Sequence, residues 1–183
     1  MAKFYPSITE EHAAFLADQP LFFVASAAPE GRVNLSPKGL DGLRVLGPNR
    51  VAYLDLTGSG NETMAHLKVD PRITIMVCNF VQPPKIMRLF GTGRSVRPVD
   101  PDWAGLKAHF PDLPGMRQIV DVAVAEVQTS CGFGVPLMDL VGQRDTLLES
   151  ARKKGPEGIR AYWAEKNAKS IDGLETGILD DAE

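Results

Sequence analysis

Short runs of β-branched, aromatic and aliphatic residues, each cut off by turn-forming residues, fill the first two-thirds of this chain: LFFVASA at 21–27, RVNLS at 32–36, LRVL at 43–46 and VAYLDL at 51–56. Pro29-Glu30-Gly31 and Gly47-Pro48-Asn49 punctuate them, and breakers of that kind between β-prone runs mark antiparallel hairpins. The meander continues with ITIMVCNF at 73–80 and IMRLFGTGRSVRPV at 86–99, and DVAVAEVQ at 121–128 alternates like a half-exposed strand. Six or seven strands at this spacing predict a barrel or a sandwich.

Helical pattern is confined to the edges of that meander. Met64 and Leu67 recur three apart between Asn61 and Lys68, ahead of the stop Asp70-Pro71. Pro101 to His109 carries Trp103 and Leu106, and Arg144 to Lys153 and Gly158 to Asn167 form an amphipathic pair. The acidic, glycine-containing tail SIDGLETGILDDAE reads either as a fraying end or as a segment folded over a site.

A length of 183 residues suits one domain, a single core with a helical appendage spanning 1–183. The net charge of −3, with both signs mixed, argues against nucleic acid as a partner. The longest apolar stretch, Leu21 to Ala28, is too short to cross a bilayer, and MAKFYPSITEEH lacks the layout of a signal peptide, so no membrane association and a cytoplasmic location are expected. Cys78 and Cys131 form no C-x-x-C pair, and His12, His66 and His109 are scattered, so neither a metal site nor a disulfide is indicated. Cys78 reads as a small core residue, His66 as a half-exposed helix residue with pocket lining as the lesser alternative, and Trp103 and Trp163 as packing residues.

The stretch YLDLTGSGNETMAHL places a strand, a Gly-Ser-Gly turn and a helix start in immediate succession. Glycines allow close backbone approach, and the unpaired amides of a first helical turn attract anions. Thr57, Ser59, Asn61 and Thr63 supply side-chain donors, although Asn61 or Ser59 serving as a simple helix cap is an equal reading. In VNLSPKG, residues Asn34, Ser36 and Lys38 alternate and therefore share one strand face. An amide, a hydroxyl and an ammonium on one face suit a phosphate, and solvent exposure is the competing reading.

Together these segments resemble the pyridoxamine 5'-phosphate oxidase-like family of FMN-binding split barrels over about Ile8 to Val127. The matching motifs are NLSPKG, VAYLDLT, GSGNETMAHL, VDPRITIMV and KIMRLFGTG. The resemblance implies a mainly β fold with peripheral helices, an antiparallel split β-barrel whose residues beyond 127 form a bend and C-terminal helices. It also implies bound FMN and a homodimer with flavin sites at the interface. By position, Asn34, Ser36 and Lys38 face the phosphate and ribityl chain, Asp55, Leu56 and Thr57 pass beside the flavin ring, and Asn61, Glu62 and Thr63 close the phosphate pocket. Arg88 is a further candidate, with exposure on a sheet face as the equal alternative. Where the name-giving oxidases carry two basic residues at the helix start this chain has Glu62-Thr63, so Lys38, Arg88 or Lys85 must compensate, and their C-terminal Arg-x-His cluster is missing.

The expectation is therefore an FMN-dependent oxidoreductase acting on an unidentified small-molecule substrate, with vitamin B6 oxidation a minor reading. The flavin supplies the redox chemistry, and no general base is required. A deazaflavin-binding branch shares the barrel but tends to be more basic, which ranks FMN first. Two rivals stand beside it: a non-catalytic flavin or deazaflavin carrier or sensor, and a hydrolase using Cys131 in TSCGFGVP with a distant histidine. Ser130 or Phe133 in that segment is expected near the flavin of a partner subunit.

Overall fold

The computed structural model describes residues 2–180. Its elements in chain order are β1 (Lys3–Tyr5), α1 (Glu10–Ala17), β2 (Phe22–Ser26), β3 (Asn34–Lys38), β4 (Leu43–Gly47), β5 (Arg50–Leu56), α2 (Glu62–Val69) and β6 (Arg72–Cys78). They continue with β7 (Ile86–Val96), α3 (Trp103–Lys107), β8 (Met116–Ser130) and α4 (Thr146–Tyr162), which ends in a π-helical turn, Trp163–Asn167. All strand pairs are antiparallel, in the order β3-β2-β6-β7-β8-β5-β4, with β1 added to the far end of β8. This is the expected mainly β split barrel.

Alternation explains which faces close. On β2, Phe22 and Val24 point inward with Ile73, Ile75 and Val77 of β6, and Met87 and Leu89 of β7 meet Val120, Val122 and Val127 of β8 in the same core. Each such side chain withdrawn from water contributes about 1.5–3 kcal/mol. Strands β5 and β8 are buried on both faces: Val51 and Tyr53 fill the barrel, whereas Ala52, Leu54 and Ile119 meet Val96, Leu106 and Phe110 under α3. The long β7–β8 ladder contains a bulge at Phe90/Gly91, where a Cβ on Gly91 would lie 2.1 Å from the Ala123 carbonyl oxygen.

Several elements differ from the sequence expectation. Strand β8 begins at Met116 rather than Asp121, and β3 covers 34–38 rather than 32–36, which brings Lys38 into the ladder opposite Phe22. Strand β1 is too short to show a period. Helix α1 is an unexpected element; its capping box uses His12 where glutamate or glutamine is usual, with the His12 amide donating to Thr9 Oγ1 (3.2 Å) and the Thr9 amide to His12 Nδ1 (3.3 Å). The two expected C-terminal helices meet at Gly155 (φ 64°, ψ 177°), just before Pro156.

The tail does not fray. Ser170 N donates to Leu174 O (2.8 Å) and Thr176 N to Ala168 O (2.9 Å), Thr176 and Ile178 are buried, and Arg97 Nη1 donates to the carbonyl oxygens of Gly177 (2.6 Å) and Asp180 (2.7 Å). The remainder of the expected tail, residues 181–183, lies outside the described residues. Among the described residues no helix is long and apolar enough to cross a membrane.

Candidate functional site

A cleft of about 900 Å³ opens between β3, the bend joining β5 to α2, and the C-terminal segment. Its walls include Asn34, Ser36 and Lys38 from β3, Asp55 and Leu56 from β5, and Gly58 through Thr63 from the bend. The last wall is Lys166, Lys169, Ser170 and Ile171. The alternating residues of β3 and the glycine bend after Leu56 therefore face one cavity.

At its base lies a buried carboxylate held by three donors. Asp55 Oδ1 accepts from Lys38 Nζ (2.6 Å), and Oδ2 accepts from Arg117 Nη2 (2.6 Å) and Nε (3.0 Å) and from Gln118 Nε2 (2.8 Å). Burial alone would push the Asp55 carboxyl up; the Arg117 guanidinium and then the Lys38 ammonium outweigh it and hold the group well below the usual carboxylate range. Arg117 is as buried as Asp55 and also donates to Gly60 O and Asn167 Oδ1, both at 2.9 Å. One guanidinium thus ties β5, the bend and the C-terminal segment together. Beside it, burial pushes the Tyr53 hydroxyl well above the usual tyrosine range, and Asp55 adds in the same direction.

The bend is braced from behind. Thr57 N and Oγ1 donate to Gly115 O (2.8 and 2.9 Å), Trp163 Nε1 donates to Thr57 Oγ1 (2.9 Å), and Asn167 Nδ2 donates to Gly58 O (3.1 Å). Thr57 consequently braces the cleft without lining it, a correction to its expected place beside a ring. Asn61 does not cap α2: its side chain accepts from Gln118 Nε2 (2.9 Å) and meets Met64 Sδ (3.2 Å), so the first amides of the helix have no side-chain cap. Of the two readings of this helix start, simple capping by Asn61 is the one the geometry removes.

The remaining candidates divide. Asn34 Nδ2 donates to Thr63 Oγ1 (3.2 Å) and Ser36 Oγ to Asn34 Oδ1 (3.2 Å), both within the cleft wall. Glu62 also lines it, but its carboxylate accepts from Ile171 N (3.1 and 3.2 Å), so it fastens the C-terminal segment. Arg88 stands apart: it faces Gln128 Oε1 (3.4 Å) from mid-β7, on the opposite strand face from the inward Met87 and Leu89, and does not line the cleft. Lys85 likewise pairs with Glu11 (2.9 Å) elsewhere.

Sequence reasoning missed Arg117, Gln118, Arg32, Lys166 and Lys169, and placed His66 as half-exposed although it is buried on the cleft wall. The signal for Arg117 is a charge inside the apolar run MRQIVDV, hidden because the expected strand starts five residues late, at Asp121. Cys131 is exposed at the end of β8, and Cys78 is buried as expected.

Comparison with known proteins places these features in a family. Residues 8–131 match the family described as pyridoxamine 5'-phosphate oxidase. Over 95% of its length the chain is 45% identical to the pyridoxamine 5'-phosphate oxidase family protein ustO of Aspergillus flavus, covering 77% of that protein. Among solved structures, it is similar to one described as a putative pyridoxamine 5'-phosphate oxidase from Lactobacillus delbrueckii (TM-score 0.56, 21% identity, 67% of this chain and 94% of that one). It also matches the FAD binding protein from Mycobacterium smegmatis (TM-score 0.50, 14% identity, 66% of this chain and 91% of that one), a likeness of fold.

Proposed function

The chain belongs to the pyridoxamine 5'-phosphate oxidase family, and on that premise we propose that it is an FMN-dependent oxidoreductase whose flavin sits in the cleft described above. The observation that carries the reading is the meeting of Lys38 with an uncapped helix start in one cavity. Five basic side chains, Arg32, Lys38, Arg117, Lys166 and Lys169, line the cavity with Asp55 and Glu62, and each is paired with a carboxylate: Arg32 with Asp172, Lys38 and Arg117 with Asp55, Lys166 with Glu165 and Lys169 with Glu175. The cavity's volume falls in the range usual for cofactor sites, about 300–1,000 Å³.

The parts divide the work by chemistry. Lys38, Ser36 and the amides from Gly58 to Thr63 are the groups suited to a phosphate, with the buried Asp55 and Arg117 fixing the Lys38 ammonium and the bend. Leu35, Leu54, Leu56 and Leu113 offer apolar surface to a ring. FMN, when bound, supplies hydride and electron transfer, while the chain binds, orients and shields it. Reconstitution with FMN tests this: the reading expects quenched flavin fluorescence, a protein-bound visible flavin spectrum, and bleaching by a nicotinamide donor with recovery in air. Absence of any bound spectrum at excess FMN sinks it, and binding without reduction by any donor favours the carrier or sensor.

A longer flavin is the second reading, favoured by the reach of the cleft to Lys166 and Lys169 and by a fold neighbour named for FAD. The mass of the cofactor that co-purifies separates FMN from FAD and from a deazaflavin.

The functional unit in this proposal is a homodimer with the cleft at its interface. Phe133, Leu137, Met138, Leu140 and Val141 are exposed in the segment between β8 and α4, an apolar strip that a monomer would leave in water. The strip leads to the cleft rim, where Gln143 Oε1 accepts from Leu40 N (3.3 Å). Sedimentation equilibrium should give twice the chain mass, and Leu137→Asp with Leu140→Asp should give monomers with weakened FMN binding. A monomeric parent chain at micromolar concentration would refute the dimer.

A further inference from the structure

We propose that His66 is a binding residue of the cleft, presenting ring Nε2 to a phosphate group at the start of α2 while Ser26 holds the ring through Nδ1. The inference rests on the flavin reading for the identity of that phosphate.

The first support is position. His66 is 1% exposed and yet belongs to the cleft wall, so its small accessible surface is turned toward the cavity. It lies one helical turn beyond Glu62, the first residue of α2. Side chains on a helix lean back toward its N-terminus, which carries the ring toward Glu62 and Thr63 and the uncapped amides.

The second support is the state of its two nitrogens. Nδ1 lies 3.0 Å from Ser26 Oγ, which lies 3.4 Å from Thr63 Oγ1, itself the acceptor of Asn34 Nδ2 at 3.2 Å. The ring is therefore fixed by a buried series of side chains crossing from β2 and β3 to α2. No described residue forms a hydrogen bond with Nε2. Nε2 nevertheless keeps accessible surface, since the one buried side-chain polar atom without a partner among the described residues is the Tyr53 hydroxyl, so the open nitrogen of the ring is available to a ligand. The roles at Nδ1 depend on the ring tautomer: in the one whose Nδ1 accepts from Ser26 Oγ, Nε2 carries the hydrogen that a phosphate oxygen accepts.

Charges near the ring suit this role. On α2, Glu62 accepts from the Ile171 amide, and on the C-terminal segment Asp172 is paired with Arg32, so both carboxylates have partners. Lys38, paired with Asp55, shares the cavity with the ring, and Arg117 is held by the same carboxylate. A hydrogen-bond donor in this place compensates in part for Glu62 and Thr63, where the name-giving oxidases have two basic residues.

Binding and spectroscopy together test the assignment. Asparagine can reach only the Nδ1 position, whereas glutamine carries an amide to about the Nε2 position. His66→Asn should weaken FMN binding, read by fluorescence quenching, about tenfold, the loss expected for one hydrogen bond to a charged group. His66→Gln should stay within about threefold of the parent, and matching circular dichroism melts would confirm that both fold.

On the parent chain, ¹⁵N NMR should show FMN or inorganic phosphate shifting Nε2 of one histidine, identified by its absence in the variants, with Nδ1 little changed. Equal FMN affinity in His66→Asn, or an Nε2 resonance that neither ligand moves, overturns the proposal. A parent chain that takes up no FMN sinks the flavin reading alone. The phosphate titration then decides His66 by itself, upholding it if Nε2 shifts and overturning it if not.

Discussion

Lys38 Nζ lies 2.6 Å from Asp55 Oδ1, joining the edge strand β3 to the C-terminal end of β5 across the base of the cleft. The same carboxylate is gripped from the other side by Arg117, and the three groups differ in exposure: Asp55 and Arg117 side chains are 4% exposed and Lys38 is 20% exposed. Asp55 is thus the pivot, Arg117 its structural counter-charge, and Lys38 the member with access to a ligand.

That division predicts opposite profiles for two substitutions. Asp55→Ala leaves the buried Arg117 guanidinium without its carboxylate and should cost about 3–5 kcal/mol of stability. Lys38→Met leaves Asp55 paired with Arg117, so the loss of stability should be smaller than in Asp55→Ala, while loss of a charge-assisted phosphate contact weakens FMN binding by about 1.5–3 kcal/mol. Urea melts and flavin titrations on the two variants check the ordering; a Lys38→Met chain that binds FMN like the parent removes Lys38 from the site.

The same carboxylate sets an acid limit. Its folded-state pKa is depressed below the unfolded value of about 3.9. Its contribution to stability is therefore fully present above about pH 4 and fades as pH falls from there toward the depressed value. In Asp55→Asn that contribution is absent at every pH. The stability gap between parent and Asp55→Asn should be widest at pH 7 and should narrow at pH 3. A constant gap over that range would mean that Asp55 titrates alike in both states.

What the sequence disclosed was whatever obeys a short local period. The alternation of Asn34, Ser36 and Lys38 put three groups on one wall of the cleft because a strand has period two, and the glycine bend announced a strand turning into a helix. The missed residues answer to distant partners. Arg117 counts as a site residue only because β8 runs beside β5, where Gln118 faces Asp55. Thr57 looked like a ligand and proved a brace, since its partners Gly115 and Trp163 are distant in sequence. The tail stays open between a fraying end and a folded segment because nothing within it foretells Arg97 donating to its carbonyls.

Gly115 gives the brace a test. It adopts φ +78°, and a Cβ there would come within 2.8 Å of Ala151 Cβ, while its carbonyl holds both Thr57 donors. Gly115→Ala must leave the left-handed region or displace α4, and the backbone cost alone is about 1–2 kcal/mol. The variant should melt earlier and bind FMN more weakly, because the Thr57 bend shifts with it. Unchanged affinity in a destabilised variant would separate the brace from the cleft.

Beyond Asn167 the C-terminal segment is fastened by two unequal arginines, and the inequality is measurable by hydrogen exchange. Arg32 is 67% exposed in its pair with Asp172, where water screens the attraction, so Asp172→Asn should leave backbone protection around Thr176 as it is. Arg97 is 18% exposed and donates to the carbonyl oxygens of Gly177 and Asp180, the first of which also accepts from Asp180 N (3.2 Å). Arg97→Ala removes both guanidinium contacts and loosens the turn that buries Thr176 and Ile178. Amide exchange at Thr176 and Ile178 should rise by an order of magnitude or more in Arg97→Ala, one hydrogen bond being worth about 1 kcal/mol and two acting together. Exchange in β7 and β8 should stay fixed. If Asp172→Asn frees the tail as fully as Arg97→Ala, the clasp at the cleft rim and not the arginine behind it holds the segment.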